Sequence, residues 1–229
     1  MRLRDKLRRW HVWLGWIVGL PLLLWTATGL FMATFPIERV RGEHLIGDQP
    51  TLVLAAPPIP PAVGARPLAS IALEPRPGGA RWIVRYKDGG ARLADPATGR
   101  LLPSLSAADA RAIVEARYTG SAHVTAVERT AAESPPLELR RNVPAWRIVY
   151  DDGARFYVHA ETGEILARRT SLWRVYDVMW GLHILDPGGR EDTDNVWLFG
   201  FALISLASVL MALVLLPLTI RRRRSRRRE

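Results

Sequence analysis

Two histidines stand where an imidazole could act as a ligand. His11 is flanked by Trp10, Trp13 and Trp16, and on a helix it shares a face with Gly15, Val18, Leu22, Thr26 and Gly29. Small residues beside an imidazole can accept a flat macrocycle, because glycine lets the ring approach the backbone. The same residues also fit a histidine in an interfacial aromatic belt, with Gly15 and Gly19 packing one helix on another. His183 follows Leu172, Trp173, Tyr176, Met179 and Trp180, an aromatic content suited to a helix lying on the outer face of a membrane. It too reads either as a ligand or as a headgroup-facing residue.

The remaining chemistry is sparse. His44 and His123 have no partner at metal-ligand spacing. His159 alternates with Arg155 and Tyr157, opposite Phe156 and Val158, as a solvated strand residue does. The acidic stretch Asp186 to Asp194 lacks EF-hand spacing and reads as a solvated loop. Gly78-Gly79 and Gly89-Gly90 are turns, and there is no nucleophile-and-base pattern, phosphate loop or zinc motif. Cysteine is absent, so no disulfide framework exists. Neither a flavin nor a nicotinamide domain is present, so any electrons would come from another protein.

The elements that must position these residues are dominated by two apolar runs. Val12 to Phe35 has 24 residues and Val196 to Ile220 has 25, neither with a charge. A membrane-spanning helix needs roughly 20 apolar residues to cross about 30 Å of hydrocarbon, and both runs meet that length. The first exceeds the short apolar core of a cleaved signal peptide, and Met32-Ala33-Thr34-Phe35-Pro36 is a poor cleavage site, so an uncleaved anchor is expected. Residues 1–9 carry five basic groups against Asp5, and residues 221–229 carry seven arginines against Glu229. These ends account for the whole formal charge of +10, because the residues between them hold 20 basic and 20 acidic side chains. Basic flanks stay on the cytoplasmic side, which places both termini inside and the middle outside. The arginine tail starts where the second apolar run stops, so contact with anionic membrane lipid explains it and no nucleic-acid partner is expected.

Between the spans lies a proline-rich segment, Ala55-Ala-Pro-Pro-Ile-Pro-Pro61, expected to be an extended spacer. It precedes a repeat. Trp82-Ile-Val-Arg-Tyr86, an Asp88-Gly89 turn, Ala91 to Asp95 and Thr98-Gly99 form the first copy. Trp146-Arg-Ile-Val-Tyr150, an Asp152-Gly153 turn, Ala154 to Ala160 and Thr162-Gly163 form the second. Each reads as three short strands joined by tight turns. A helix over Ala107 to Arg117, with Ser104 or Ser106 as N-cap and Ala110, Ile113, Val114, Arg117 and Tyr118 on its packing face, precedes the second copy. The first has only a weak helical counterpart near Leu68 to Leu73. The arrangement is α+β.

The chain resembles the PepSY-associated transmembrane proteins of bacteria. The strands, Asp-Gly turns and Thr-Gly endings look like PepSY domains. Trp10-His11-Val-Trp13-Leu-Gly15 through Thr28-Gly29-Leu30 resembles the family's opening helix, and Met179-Trp-Gly-Leu-His183-Ile-Leu-Asp186 with Arg190, Asp192 and Asn195 resembles its element before the next span. Many relatives have four spans where this chain shows two. The resemblance implies a bacterial inner-membrane protein, related to ferric-siderophore reductases that carry b-type haem on histidines. His11 and His183 would then be iron ligands. Opposite interfaces about 30 Å apart prevent both from holding one iron, so each haem would need a histidine from a second copy or from a partner membrane protein. PepSY modules are also associated with regulating secreted peptidases, which implies instead a tethered binding protein without cofactor. The expected organisation is a cytoplasmic basic segment 1–11, a span 12–35, a linker 36–67, PepSY-like repeats 68–103 and 104–170, an interfacial helix and loop 171–195, a span 196–220 and a cytoplasmic tail 221–229.

Overall fold

A computed structural model describes the backbone of residues 3–225 and the side chains of residues 5–217. The side chains of Arg2, Arg4 and the arginine tail lie outside the described residues. The chain divides into two compact units, one made of the end segments up to Pro36 and from Val175, the other of Ile37–Arg174.

The first unit holds two long helices, α1 (Leu3–Ala33) and, later in the chain, α5 (Val196–Ser225). The stretches Asp5–Ala33 and Val196–Pro217 are long and apolar enough to cross a membrane. α1 stops just short of Pro36, which disfavours helical backbone in the residue before it. The helices pack on each other along a narrow seam: His11, Leu14, Val18, Pro21 and Thr28 on α1 face inward, as do Leu198, Phe201, Ser205, Ser208 and Leu215 on α5. Steps of three and four residues are those of a two-helix seam. Only Val18 and Gly29 of the face expected around His11 are covered, whereas Gly15, Leu22 and Thr26 are exposed, because the seam follows the 3.5-residue row and not the four-residue one. Large apolar side chains cover the other sides, with Trp16 80% and Trp197 75% exposed. An outward surface of this kind suits lipid, not water.

The second unit begins with a short helix α2 (Ile37–Val40) and a 3-10 turn, Glu43–Leu45. Next come strands β1 (Leu68–Glu74), β2 (Arg81–Tyr86) and β3 (Ala91–Ala94), then helix α3 (Ala107–Glu115). Strands β4 (Val124–Thr130), β5 (Ala145–Tyr150), β6 (Arg155–His159) and β7 (Ile165–Arg169) follow. α4 (Ser171–His183) starts in this unit, and from Val175 onward it belongs to the first unit, leading to the loop before α5. The strands form two antiparallel sheets, in the orders β1-β2-β3 and β4-β5-β6-β7.

The two sheets share one pairing plan. β1 meets β2 with Leu68 opposite Tyr86 and Leu73 opposite Trp82, and β4 meets β5 with Val124 opposite Tyr150 and Arg129 opposite Trp146. Both pairs carry a register shift at the same place, after Leu68 and after Val124. The indole N–H of Trp82 donates to the Ile59 carbonyl at 2.8 Å, and that of Trp146 donates to the Leu105 carbonyl at 2.9 Å. Ile59 N–H donates to Pro96 O and Leu105 N–H to Ala160 O, at 2.8 Å in both cases. Gly99 and Gly163 each have positive φ, and a Cβ would meet Pro60 O at 2.6 Å in the first and Ile113 at 2.8 Å in the second. The Thr-Gly ending therefore supplies a left-handed turn and a close approach at once.

These matches revise three sequence expectations. The proline-rich segment is extended, but its Ile59–Ala62 part is bonded to the first sheet and does not act as a free spacer. Leu68 to Leu73 is a strand and not a helical counterpart. The first copy lacks a helix because Ile59 and Leu68 are nine residues apart, against nineteen between Leu105 and Val124, too few to fit the turns of α3. Its third strand shrinks to one bridge, Ala94 with Leu101.

α3 starts at Ser106, whose side chain accepts from Asp109 N–H while the Asp109 carboxylate accepts from the Ser106 N–H. Its Ala110 and Val114 are fully buried against Ile148, Tyr150, Phe156 and Val158. The other face of the second sheet buries Leu139, Ala145, Tyr157 and Ala167. β6 is thus covered on both faces, which corrects the solvated reading of His159: burial outweighs the neighbouring Glu164 and Glu161 and pushes its imidazole below the ordinary range. Residues 136–141, which bring in Leu139 and Glu138, make that second layer.

Candidate functional site at the corner between α4 and α5

The loop from α4 into α5 is built from the residues that stood out in the sequence. Asp186 accepts backbone N–H bonds from Gly189 at 3.0 Å, Glu191 at 3.1 Å and Asp192 at 3.2 Å. Those donors hold its carboxyl below the usual carboxylate range. Asn195 caps α5 by accepting from Leu198 N–H at 2.9 Å, and its amide donates to Ile184 O and Asp192 O. Arg190 donates to Asp177 at 2.9 Å, and Asp177, on α4, is 5% exposed. The Asp186 and Asp177 carboxylates are thus engaged by backbone N–H groups and by Arg190, and no cluster of three or more His, Asp or Glu side chains forms among the described residues.

This corner delivers His183 to α1. The imidazole stacks on Trp25 with ring centroids 4.6 Å apart and 19° between planes. Its Nδ1 lies 3.1 Å from the Trp25 carbonyl oxygen and 3.1 Å from Thr28 Oγ1. A carbonyl oxygen can only accept, so in the neutral ring this contact makes Nδ1 the donor and Nε2 the acceptor. Thr28 hydroxyl donates in turn to Leu24 O at 2.9 Å. A Cβ on Gly29 would sit 3.0 Å from His183 Cε1, so the absent side chain is what lets the ring lie against the helix. The late Thr28-Gly29 pair in α1 thus has a structural role: one residue bonds His183 and the other makes room for it.

His11 is placed differently. It faces the α1–α5 seam, and its Nδ1 is buried with no hydrogen-bond partner among the described residues. Trp10, Trp13 and Trp16 beside it are exposed. His11 and Gly29 are 18 residues apart on one continuous helix, about 27 Å along the axis, so His11 and His183 do not converge on one site. Trp25, on which His183 stacks, and Asp177, which pairs with Arg190, gave no spacing signal in the sequence. Trp173, expected on a membrane face, is 9% exposed with Arg169 stacked over it at 4.1 Å.

The donor chemistry around the two histidines is compatible with ligation. A histidine whose Nδ1–H is held by a backbone carbonyl presents a basic Nε2, the usual arrangement behind a metal-bound imidazole. Stacking on Trp25 and contact with Gly29 also account for His183 as a packing residue.

Residues 104–169 match the model of the PepSY family, described as the peptidase propeptide and YPEB domain. The match covers α3 and all of the second sheet. No curated protein and no solved structure matches the chain.

Proposed function

We propose that this chain is a membrane-anchored PepSY protein of the bacterial inner membrane that displays its PepSY domain outside the cytoplasm as a binding module. The observation that carries this reading is the position of the PepSY match at 104–169 between two helices long and apolar enough to span a bilayer. Both helices have their basic flanks at the chain ends, so the positive-inside rule puts both termini in the cytoplasm. The first sheet is a PepSY-like unit that has lost its helix, supported by its pairing register and its matching Trp and Thr-Gly contacts. β4 is an edge strand of the second sheet, and strand addition there gives a peptide or peptidase segment a place to dock. A photocrosslinking residue at Thr125 should give an adduct with an envelope protein in living cells. No adduct from any exposed position on β4 would contradict the binding role.

A second reading has its own observation. In the neutral ring the Trp25 carbonyl contact makes His183 Nε2 the acceptor, and the buried His11 Nδ1 has no hydrogen-bond partner among the described residues. His183 and His11 would each hold a b-type haem, with the second axial histidine from another copy or from a partner membrane protein. Gly15 and Gly19 lie on the exposed side of α1 with nothing within 4 Å of an added Cβ, which leaves room for a second copy's helix. Bound haem would supply one-electron transfer, in keeping with reduction of ferric siderophores. The protein purified from haem-supplemented cells should then show a Soret band that His183→Ala and His11→Ala each diminish. A colourless protein contradicts this reading and leaves the binding module standing.

A further inference from the structure

A cleft of about 330 Å³ opens in the outer unit where the β1–β2 turn, the end of α3 and the start of β7 meet. Its charged lining is four arginines, Arg76, Arg85, Arg117 and Arg168, against two carboxylates, Glu74 and Glu164. Those carboxylates are already engaged. Glu74 pairs with Arg76 at 3.1 Å and Arg85 at 4.0 Å, and Glu164 pairs with Arg85 at 3.6 Å and Arg141 at 3.8 Å. Arg117 donates to the Gly47 carbonyl and feels the Asp48 carboxylate, but neither it nor Arg168 makes a salt bridge among the described residues. Arg76 is 8% exposed. Its Nε and Nη1 bond Thr162 O and Pro75 O, but its Nη2 is buried with no partner among the described residues.

A buried guanidinium nitrogen without an acceptor is costly, and so are like charges gathered in a partly buried cleft. Burial, then Arg168 and Arg76, push the Arg117 guanidinium below its ordinary range, so the three cations feel one another. A fold that needed only packing here could use apolar side chains at no such cost. We propose that this cleft is a binding site for a small divalent oxyanion, inorganic phosphate or a polycarboxylate, held by Arg76, Arg117 and Arg168. The net charge of the lining matches a dianion, and planar guanidinium forks suit the paired oxygens of phosphate and carboxylate. Because Arg76 comes from the first half of the unit and Arg117 and Arg168 from the second, the ligand would tie the two sheets together. The site is independent of either reading of the histidines.

The full chain in detergent, titrated by calorimetry with sodium phosphate and with sodium citrate against sodium chloride of matched ionic strength, tests this. Saturable binding of one anion per chain is expected for at least one probe. Phosphate alone, citrate alone or both would identify phosphate, carboxylate or simple multivalent negative charge as the feature recognised. Arg168→Gln should weaken binding about tenfold or more, the loss of one charge-assisted hydrogen bond, while Arg66→Gln, which breaks the exposed pair with Asp88 and the stack on Tyr86, both outside the cleft lining, should leave it unchanged. If Arg168→Gln does not fold, Arg117→Gln provides the same comparison. No saturation by either probe, or binding of full strength in the cleft variant, overturns the site.

Discussion

At the scale of single residues, the backbone carbonyl of Trp25 decides what His183 can be. In the neutral ring it makes Nδ1 the donor and Nε2 the acceptor, whether that nitrogen meets iron or a lipid headgroup. His183→Ala removes one hydrogen bond and one aromatic stack, and should lower stability by about 1–3 kcal/mol in an SDS unfolding titration. Gly29→Leu should act in the same direction without touching the imidazole, because any larger side chain competes with His183 for one space. Equal stability of both variants and the native chain would show that this contact holds nothing. His159 gives a separate test through pH. Its folded pKa is depressed, so the unfolded chain takes up the proton first, and the stability present above about pH 6.5 is lost as pH falls through the folded value. Protonation would also end the bond that its Nδ1 accepts from Glu161 N–H at 3.1 Å. The thermal midpoint should therefore drop between pH 7.5 and 5, and less so in His159→Gln.

At the scale of elements, two devices fix the parts of the chain that carry function. The reciprocal bonds of Ser106 and Asp109 start α3, and Ser106→Ala should cost about 1 kcal/mol in thermal unfolding. The Arg190–Asp177 pair braces the corner that presents His183. Arg190→Met leaves Asp177 buried without that partner, and should cost about 3 kcal/mol and loosen the loop to proteolysis. Much of this level was legible in the sequence. The Asp-Gly and Thr-Gly turns, the strands around Trp82 and Trp146 and the start of α3 follow from turn chemistry and capping, which act over a few residues. β4 was not legible, since Val124 to Thr130 lacks a clean alternation and becomes a strand only by pairing with β5. Leu68 to Leu73 misled for the same reason. Both faces of β6 are buried because residues 136–141 fold back over one of them, a long-range event that left no local pattern around His159. The Arg76, Arg117 and Arg168 cleft was invisible too, its members lying 41 and 51 residues apart in the chain. The His183 contact was half visible: Thr28-Gly29 and His183 stood out separately, but nothing in their spacing joined them.

At the scale of the whole molecule, the account turns on which side of the bilayer each segment occupies. All net charge sits in the two end segments, while the residues between them are balanced. Under the positive-inside rule, such segregation is what supports the proposed placement of the PepSY domain outside. The proposed docking of an envelope partner fails if that orientation is reversed, whereas the anion cleft does not depend on it. Because the chain has no cysteine, single cysteines report position without background. Lys87→Cys, in an exposed turn of the first sheet, and Lys6→Cys, at the start of α1, can be treated with a membrane-impermeant maleimide in spheroplasts before and after lysis. The account predicts that Lys87→Cys reacts in intact spheroplasts and Lys6→Cys only after lysis; labelling in the opposite order would contradict it.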